Sequence, residues 1–184
     1  MIEVFVIMRN LRILSFFVFL AIFSMTFALA SEVELSEDES TIIMNEFDEM
    51  TKGIDAVGIF VHNTSIALPM FIPGFGIVWG LFAAFSTGIA FSAMKSTIPL
   101  LNQIPSLSVL FMSPFGLMEV AAYSIAMSRS YILIHKIIKK MPIRPDIRAV
   151  CIEVAILVGL LLAGGFLEYF LIESMSGFDS GMID

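Results

Sequence analysis

The 184-residue sequence has one cysteine, two histidines and few charged residues, which make up only 15% of the chain. The single cysteine, Cys151, excludes an intrachain disulfide and a cysteine-based metal site. Ten Lys and Arg stand against 17 Asp and Glu, so the formal net charge is −7. That sign argues against a general nucleic-acid binder, which needs cations to meet phosphates.

Hydrophobic residues make up 58% of the chain, and most of them lie in long stretches without charge. Such stretches are typical of bilayer spans and do not fit a water-soluble domain. We therefore predict an all-α, polytopic transmembrane helix bundle with about five spans and a short outer amphipathic helix. The predicted location is the cell membrane, the lipid bilayer is a partner, and no nucleic acid is expected.

Residues 1–30 form the first predicted unit. Residues 13–30 carry no charge, follow Arg9 and Arg12, and end in the small-residue sequence Ala28-Leu29-Ala30. This is the layout of a secretory signal peptide, but the stretch is also long enough to cross a bilayer of about 30 Å. We interpret it as a signal-anchor span that stays in the membrane, and a cleaved signal peptide is the alternative.

Residues 31–55 form an acidic segment that must lie in water, because they carry nine acids against Lys52 alone. The second half spaces apolar side chains three and four residues apart, and Ser36 with Glu39 forms a capping-box pattern. We predict a short amphipathic helix that rests on the outer membrane surface.

Residues 56–172 are predicted to form a four-span core. No charged residue occurs in 56–94, which is enough chain for two crossings, and Pro69, Pro73 and Gly74 mark the break between them. Pro114 is a further position where a helix can bend. The four spans are predicted at about residues 56–72, 75–94, 107–134 and 149–172.

The distribution of charge predicts how the chain is threaded. The segment 135–148 holds five Lys and Arg with Asp146 as its only acid, which is typical of a cytoplasmic loop. The N terminus is then cytoplasmic, while the acidic segment 31–55 and an acidic tail at 173–184 lie outside. Lys95 is the one cation of a connecting loop that this threading places outside, against the positive-inside rule. The basic loop either just orients the chain or also holds anionic lipid headgroups or an acidic partner.

Two predicted spans carry small residues at every fourth position, a spacing that lets helix backbones approach closely in lipid. We expect these stripes to pack helices within the chain, with a homodimer face as the alternative. The predicted packing residues are Gly76, Gly80, Ala84 and Gly88 in one span and Ala155, Gly159 and Ala163 in another.

Four ionisable residues lie within apolar spans, where each costs about 2.5–3.5 kcal/mol at the bilayer centre unless it is paired. Antiparallel threading brings Arg129 and Glu153 to similar depth, so we predict an ion pair between them. The same threading brings Glu119 and Glu168 near His62 and Asn63.

This intramembrane polar cluster has two interpretations. A histidine with two carboxylates could bind a metal or relay protons. We favour interhelical hydrogen bonding, because residues on three helices show no fixed ligand spacing. We expect no metal, no cofactor and no catalytic residue.

The order of features from residue 60 to residue 170 resembles the stage II sporulation protein M family of integral membrane proteins. The resemblance rests on His62-Asn63, on the glycine-rich stretch 74–88, on Pro114-Phe115-Gly116 followed by Glu119, and on the closing run Gly164-Gly165-Phe166-Leu167-Glu168. It implies a five-helix membrane component without an established enzymatic reaction. Bacterial relatives belong to a complex that remodels the cell envelope during engulfment.

Three functions are compatible with the sequence. The first, which we favour, is a non-enzymatic structural or accessory subunit of a larger membrane or envelope complex, with other membrane proteins or a second copy as partners. The second is a small transporter or channel-like subunit with a polar path at Glu119, Glu168 and His62. The third, an intramembrane hydrolase, needs a metal or nucleophile site that we do not find.

Overall fold

A computed structural model describes the backbone of residues 2–180 and the side chains of residues 10–98 and 100–174. These described residues contain no β-strand, which confirms the predicted all-α bundle. The last residues of the predicted acidic tail, 181–184, lie outside them. The α-helices are α1 (Ile2–Ala30), α2 (Glu37–Thr51), α3 (Ala56–Ala67), α4 (Phe75–Thr97), α5 (Ser106–Met112), α6 (Pro114–Ile138) and α7 (Ile147–Ser180).

Three stretches of helix in the described chain are long and apolar enough to cross a membrane, namely Asn10–Ala30, Phe75–Thr97 and Arg144–Ser174. The number rises to five if two bent pairs, α2 with α3 and α5 with α6, each count as one span. Helix α6 has 25 residues but does not qualify alone, because Glu119, Arg129 and Lys136 lower its hydropathy.

The predicted break between the second and third spans is confirmed. Helix α3 ends at Ala67, and a 3-10 helix with Pro69 near its start follows at Leu68–Phe71. Gly74 then adopts a φ of +78°, a conformation that glycine adopts without steric cost. A β-carbon on Gly76 would overlap the carbonyl group of Met70, so the reversal also depends on this second glycine.

The predicted span 107–134 is bent at the predicted position, Pro114, and forms two helices. Helices α5 and α6 meet at an angle of 90° around Ser113, so α5 does not continue the line of α6. The Ser113 hydroxyl accepts a hydrogen bond from the backbone N–H of Gly116, and Pro114 occupies the first turn of α6. A helix starts readily at such a pair, because the side chain caps a backbone donor and proline needs none.

Helix α2 is the predicted amphipathic helix, and its capping box is confirmed. The Glu39 carboxylate accepts a hydrogen bond from the backbone N–H of Ser36 at 2.9 Å, which lowers the pKa of Glu39. The apolar face of α2 lies against α4, where Phe47 and Met50 face Phe85 and Ile89 across a groove of about 300 Å³. Whether α2 rests on the outer membrane surface stays a prediction.

The bundle has two chemically different ends. The acidic end contains residues 31–55, where Glu32 binds Lys95 at 2.8 Å and the hydroxyl of Ser106 at 2.8 Å. These contacts lower the pKa of Glu32, with the Lys95 hydrogen bond as the largest cause. The positive charge of Lys95 thus neutralises the negative charge of Glu32 in this contact. The basic end contains the turn 139–148.

Candidate functional site

Arg129 on α6 is the centre of a charged network near the basic end, where its side chain is almost fully buried. Its Nε lies 2.6 Å from Oε2 of Glu153 on α7, and its Nη2 lies 2.5 Å from Oε1. Helices α6 and α7 are joined by a short turn, so residues at similar distances from that turn face each other. The structure therefore places the predicted Arg129 and Glu153 together as a two-pronged ion pair.

Arg12 on α1 binds the same carboxylate, a contact that the sequence does not predict. Its Nε lies 2.7 Å from Oε1 of Glu153, its Nη1 donates to the hydroxyl of Ser128, and its Nη2 donates to the carbonyl of Ile125 at 3.2 Å. Glu153 thus connects three helices. The sequence shows only an arginine at the edge of an apolar span. An arginine that merely orients the span in the membrane has the same position, so the sequence does not distinguish the two roles.

Lys136 and Asp146 extend the network towards the turn. The Lys136 ammonium lies 2.8 Å and 2.6 Å from the two carboxylate oxygens of Asp146, and both side chains are buried. Asp146 also lies 3.5 Å from Nη1 of Arg129. The predicted cytoplasmic loop 135–148 includes Lys136, and this is wrong for Lys136, because α6 continues to Ile138. The network holds three cations and two carboxylates.

A second polar cluster lies nearer the acidic end and joins α3 to α6. The side-chain amide of Asn63 donates a hydrogen bond to Oε1 of Glu119 at 2.5 Å. Glu168 on α7 is partly buried and interacts electrostatically with Glu119. Asn63, Glu119 and Glu168 are therefore brought together as the sequence predicted.

His62 does not join this cluster. Its side chain is exposed, because adjacent residues on a helix point roughly 100° apart and Asn63 faces inward. The part of the chain that the structure describes contains no group of three His, Cys, Asp or Glu residues that could hold a metal ion.

The small residues of α4 are buried against neighbouring helices. A β-carbon on Gly80 would lie 2.5–2.9 Å from the side chain of Met127 on α6. A β-carbon on Gly88 would lie 2.6 Å from the carbonyl oxygen of Phe27 and from the β-carbon of Ala30 on α1. Gly88 thus lets α4 approach the backbone of α1, and at Gly80 any larger residue would have to displace the flexible side chain of Met127. All four predicted residues, Gly76, Gly80, Ala84 and Gly88, face inward.

The predicted packing stripe of α7 is wrong as an intramolecular seam. Ala155, Gly159 and Ala163 are exposed, and a β-carbon on Gly159 would meet no atom within 4 Å. The buried face of α7 instead carries Leu157 and Leu161, both 0% exposed. The reason is geometric: residues 155, 159 and 163 lie on the side of the helix opposite to the buried face, at roughly 100° per residue.

Comparison with known proteins gives one match. The family model described as "Stage II sporulation protein M" matches residues 13–171, which includes the α4 stripe, the cluster around Glu119 and every member of the charged network except Arg12. Neither a curated protein nor a solved structure matches the chain. The matched residues make up most of the sequence, and the chain therefore belongs to the stage II sporulation protein M family of membrane proteins.

Proposed function

We propose that this chain is a non-enzymatic structural or accessory subunit of a larger membrane or envelope complex. The observation that carries the proposal is the network of Arg12, Arg129 and Glu153, which joins α1, α6 and α7. Charged groups in this network bind one another and hold helices together.

The chemistry of the network supports a structural role. A general base or a nucleophile must have an oxygen or nitrogen atom free to meet substrate. Both oxygens of Glu153 accept hydrogen bonds from guanidinium groups, and both oxygens of Asp146 bind Lys136. These carboxylates are engaged in packing, so catalysis would require the network to open.

The proposed partners are other membrane proteins or a second copy of the chain. Long apolar side chains are exposed on α4 and on α7, and in a bilayer they contact either lipid or protein. Small exposed residues between them, such as Gly159 and Ala163, would let a neighbouring helix approach closely. This arrangement suits a subunit whose surface serves assembly.

The proposal is tested by extracting the tagged chain from its native membrane with a nanodisc-forming polymer. We expect a discrete assembly heavier than the 20.3 kDa chain, and we expect tagging of its second component to recover this chain in return. An untagged preparation is the control. A monomer with no reciprocal co-purification would contradict the proposal.

A second candidate function is a small transporter or channel-like subunit. The proximity of Glu119 and Glu168 favours it, because two carboxylates within an apolar bundle suit a proton or cation site. Purified chain in liposomes would then support proton or sodium flux that Glu119→Gln abolishes and Glu37→Gln leaves intact. Flux equal to that of empty liposomes would remove this candidate.

A further inference from the structure

Four exposed cations lie in and beside the turn between α6 and α7, and we call them the basic turn. They are Lys139, Lys140, Arg144 and Arg148. Within the described residues, none of the four has an ion pair or a side-chain hydrogen bond. Their charge is therefore not neutralised by the part of the chain that the structure describes.

The carboxylates nearest to the basic turn are already engaged. Asp146 is the only acid of the turn, and it is buried against Lys136 and Arg129. Glu153 is bound by Arg12 and Arg129. This network itself holds more cations than carboxylates, so it adds positive charge to the same end of the bundle. An anion that binds the four cations would therefore come from outside the described chain.

The surroundings of the four cations indicate what kind of anion this is. Large apolar side chains are exposed among them, on both sides of the turn: Ile137, Ile138, Met141, Ile143 and Ile147. Apolar side chains that alternate with cations suit the boundary between acyl chains and headgroups. There the apolar side chains insert among the acyl chains, and the cations bind the phosphates of the headgroups. A soluble acidic protein would leave these apolar side chains without a matching surface.

Lys140 adds an independent observation from the backbone. Its φ is +53°, and it is the one non-glycine residue with positive φ in the described chain. Lys140 follows the last turn of α6, and the N–H of the next residue, Met141, donates a hydrogen bond to the carbonyl of Lys136 at 2.9 Å. Glycine or asparagine is favoured at this position, because a β-carbon is strained there. A lysine at this position accepts that strain and places its exposed ammonium group at the end of α6.

Arg148 is also placed against the local electrostatic preference. It lies in the first turn of α7, where the helix dipole favours anions and disfavours cations. An anion bound near Lys140 and Arg148 would compensate both the repulsion among the cations and the unfavourable dipole.

We propose that the basic turn binds the phosphate headgroups of anionic phospholipids. The site lies at the basic end of the bundle, with apolar side chains beside it to contact the acyl chains. This inference goes beyond the proposed accessory role, and lipid binding does not require that the chain belong to a complex.

The test measures lipid binding to the purified full-length chain in neutral detergent by native mass spectrometry. Phosphatidylglycerol is compared with phosphatidylcholine, with inorganic phosphate and with a polyglutamate peptide. We expect phosphatidylglycerol to bind most tightly. Each cation near the lipid contributes about fivefold in affinity, equivalent to about 1 kcal/mol, so changing all four to glutamine should reduce binding by more than a hundredfold.

Single variants of Lys140 keep the test valid if the quadruple variant fails to fold. Lys140→Gly removes the charge and relieves the backbone strain, so its melting temperature should rise while its phosphatidylglycerol affinity falls about fivefold. Lys140→Arg retains the charge and should bind like the original chain. Lys52→Gln, a cation removed at the acidic end, is the position control and should leave binding unchanged.

The other outcomes overturn the proposal. Equal binding of the two lipids, or phosphatidylglycerol binding that all the variants retain, would mean that the basic turn only orients the chain. Inorganic phosphate binding as tightly as phosphatidylglycerol would indicate a site for free anions. Preferential binding of polyglutamate would indicate an acidic protein partner instead of a lipid.

Discussion

Helices α4 and α7 carry the same sequence pattern and use it in opposite ways. Both have small residues at every fourth position, but the stripe of α4 is buried against α1 and α6 while that of α7 is exposed. The spacing of small residues identifies one face of a helix. It does not say whether that face meets the same chain, another chain or lipid.

The difference arises from charge. Helix α4 has no charged residue before Lys95, so shape alone decides which face turns inward. Helix α7 carries Glu153 and Glu168, which have to avoid lipid. At roughly 100° per residue these two glutamates share one face, and Gly159 lies on the opposite one. Burial of the glutamates therefore turns the small residues outward.

The largest effect should come from removing the charge that orients α7. Glu153→Gln leaves Arg12 without a counter-charge and Arg129 with only its longer contact to Asp146, and breaking a buried pair typically costs about 3–5 kcal/mol. The measurement is the free energy of unfolding in mixed detergent. Glu37→Gln on the exposed face of α2 is the control and should change little. A small loss at Glu153 would mean that shape, not charge, orients α7.

Exchanging the charges of Arg129 and Glu153 sharpens the same point. The exchange restores one ion pair but places an arginine at position 153 against Arg12. We therefore expect the exchange to recover only part of the stability lost in Arg129→Glu. Full recovery would show that Arg12 contributes nothing to the network.

The next effect should come from the apolar side chains that α7 buries. Leu161→Ala removes a fully buried side chain and should cost about 2–5 kcal/mol, whereas its exposed neighbour Leu162→Ala should cost much less. Thermal unfolding of both variants in the same detergent gives the comparison. Equal losses would place the buried face of α7 elsewhere.

A smaller effect is expected when a single methyl group is added to the α4 stripe. Gly80→Ala would place its β-carbon against the flexible end of Met127, and overpacking of this kind costs about 1–3 kcal/mol. The double variant Gly80→Ala with Met127→Ala shortens the opposing side chain. Its loss of stability should be smaller than the sum of the losses of the two single variants. Additive losses would show that the two residues are not in contact.

The smallest effect is expected for the same substitution on the α7 stripe. Gly159→Ala meets no neighbouring atom within 4 Å, so it should cause no loss and should stabilise α7 by up to about 1 kcal/mol, because alanine favours a helix more than glycine does. The measurement is again detergent unfolding, beside Gly80→Ala. A loss as large as that of Gly80→Ala would indicate that a second copy covers the α7 stripe.

Local sequence signals were sufficient for much of the fold. The apolar stretches predicted the bundle, the Ser36 and Glu39 pattern predicted the start of α2, and Pro69 with Gly74 predicted the reversal before α4. Each of these features depends on residues that are close together in the chain.

Features that depend on distant residues were harder to predict. Nothing in the spacing relates Arg12 to Glu153, which lie 141 residues apart, so the third helix of the network was missed. Lys136 was assigned to the loop because of its charge, although its burial depends on Asp146 ten residues later. The exposure of the α7 stripe was predictable from the sequence. Glu153 and Glu168 have to face the bundle, and the helical repeat places the stripe on the opposite side of α7.

The opposite placement of the two stripes can be measured most directly by spin-labelling each position along α4 and α7 in a nanodisc that holds a single copy of the chain, so that no partner covers either stripe. Oxygen concentrates in lipid, so its collision rate with each label reports which face meets the acyl chains. We expect minima at residues 80, 84 and 88 of α4 and maxima at residues 155, 159 and 163 of α7. Minima at both stripes would contradict the arrangement described here.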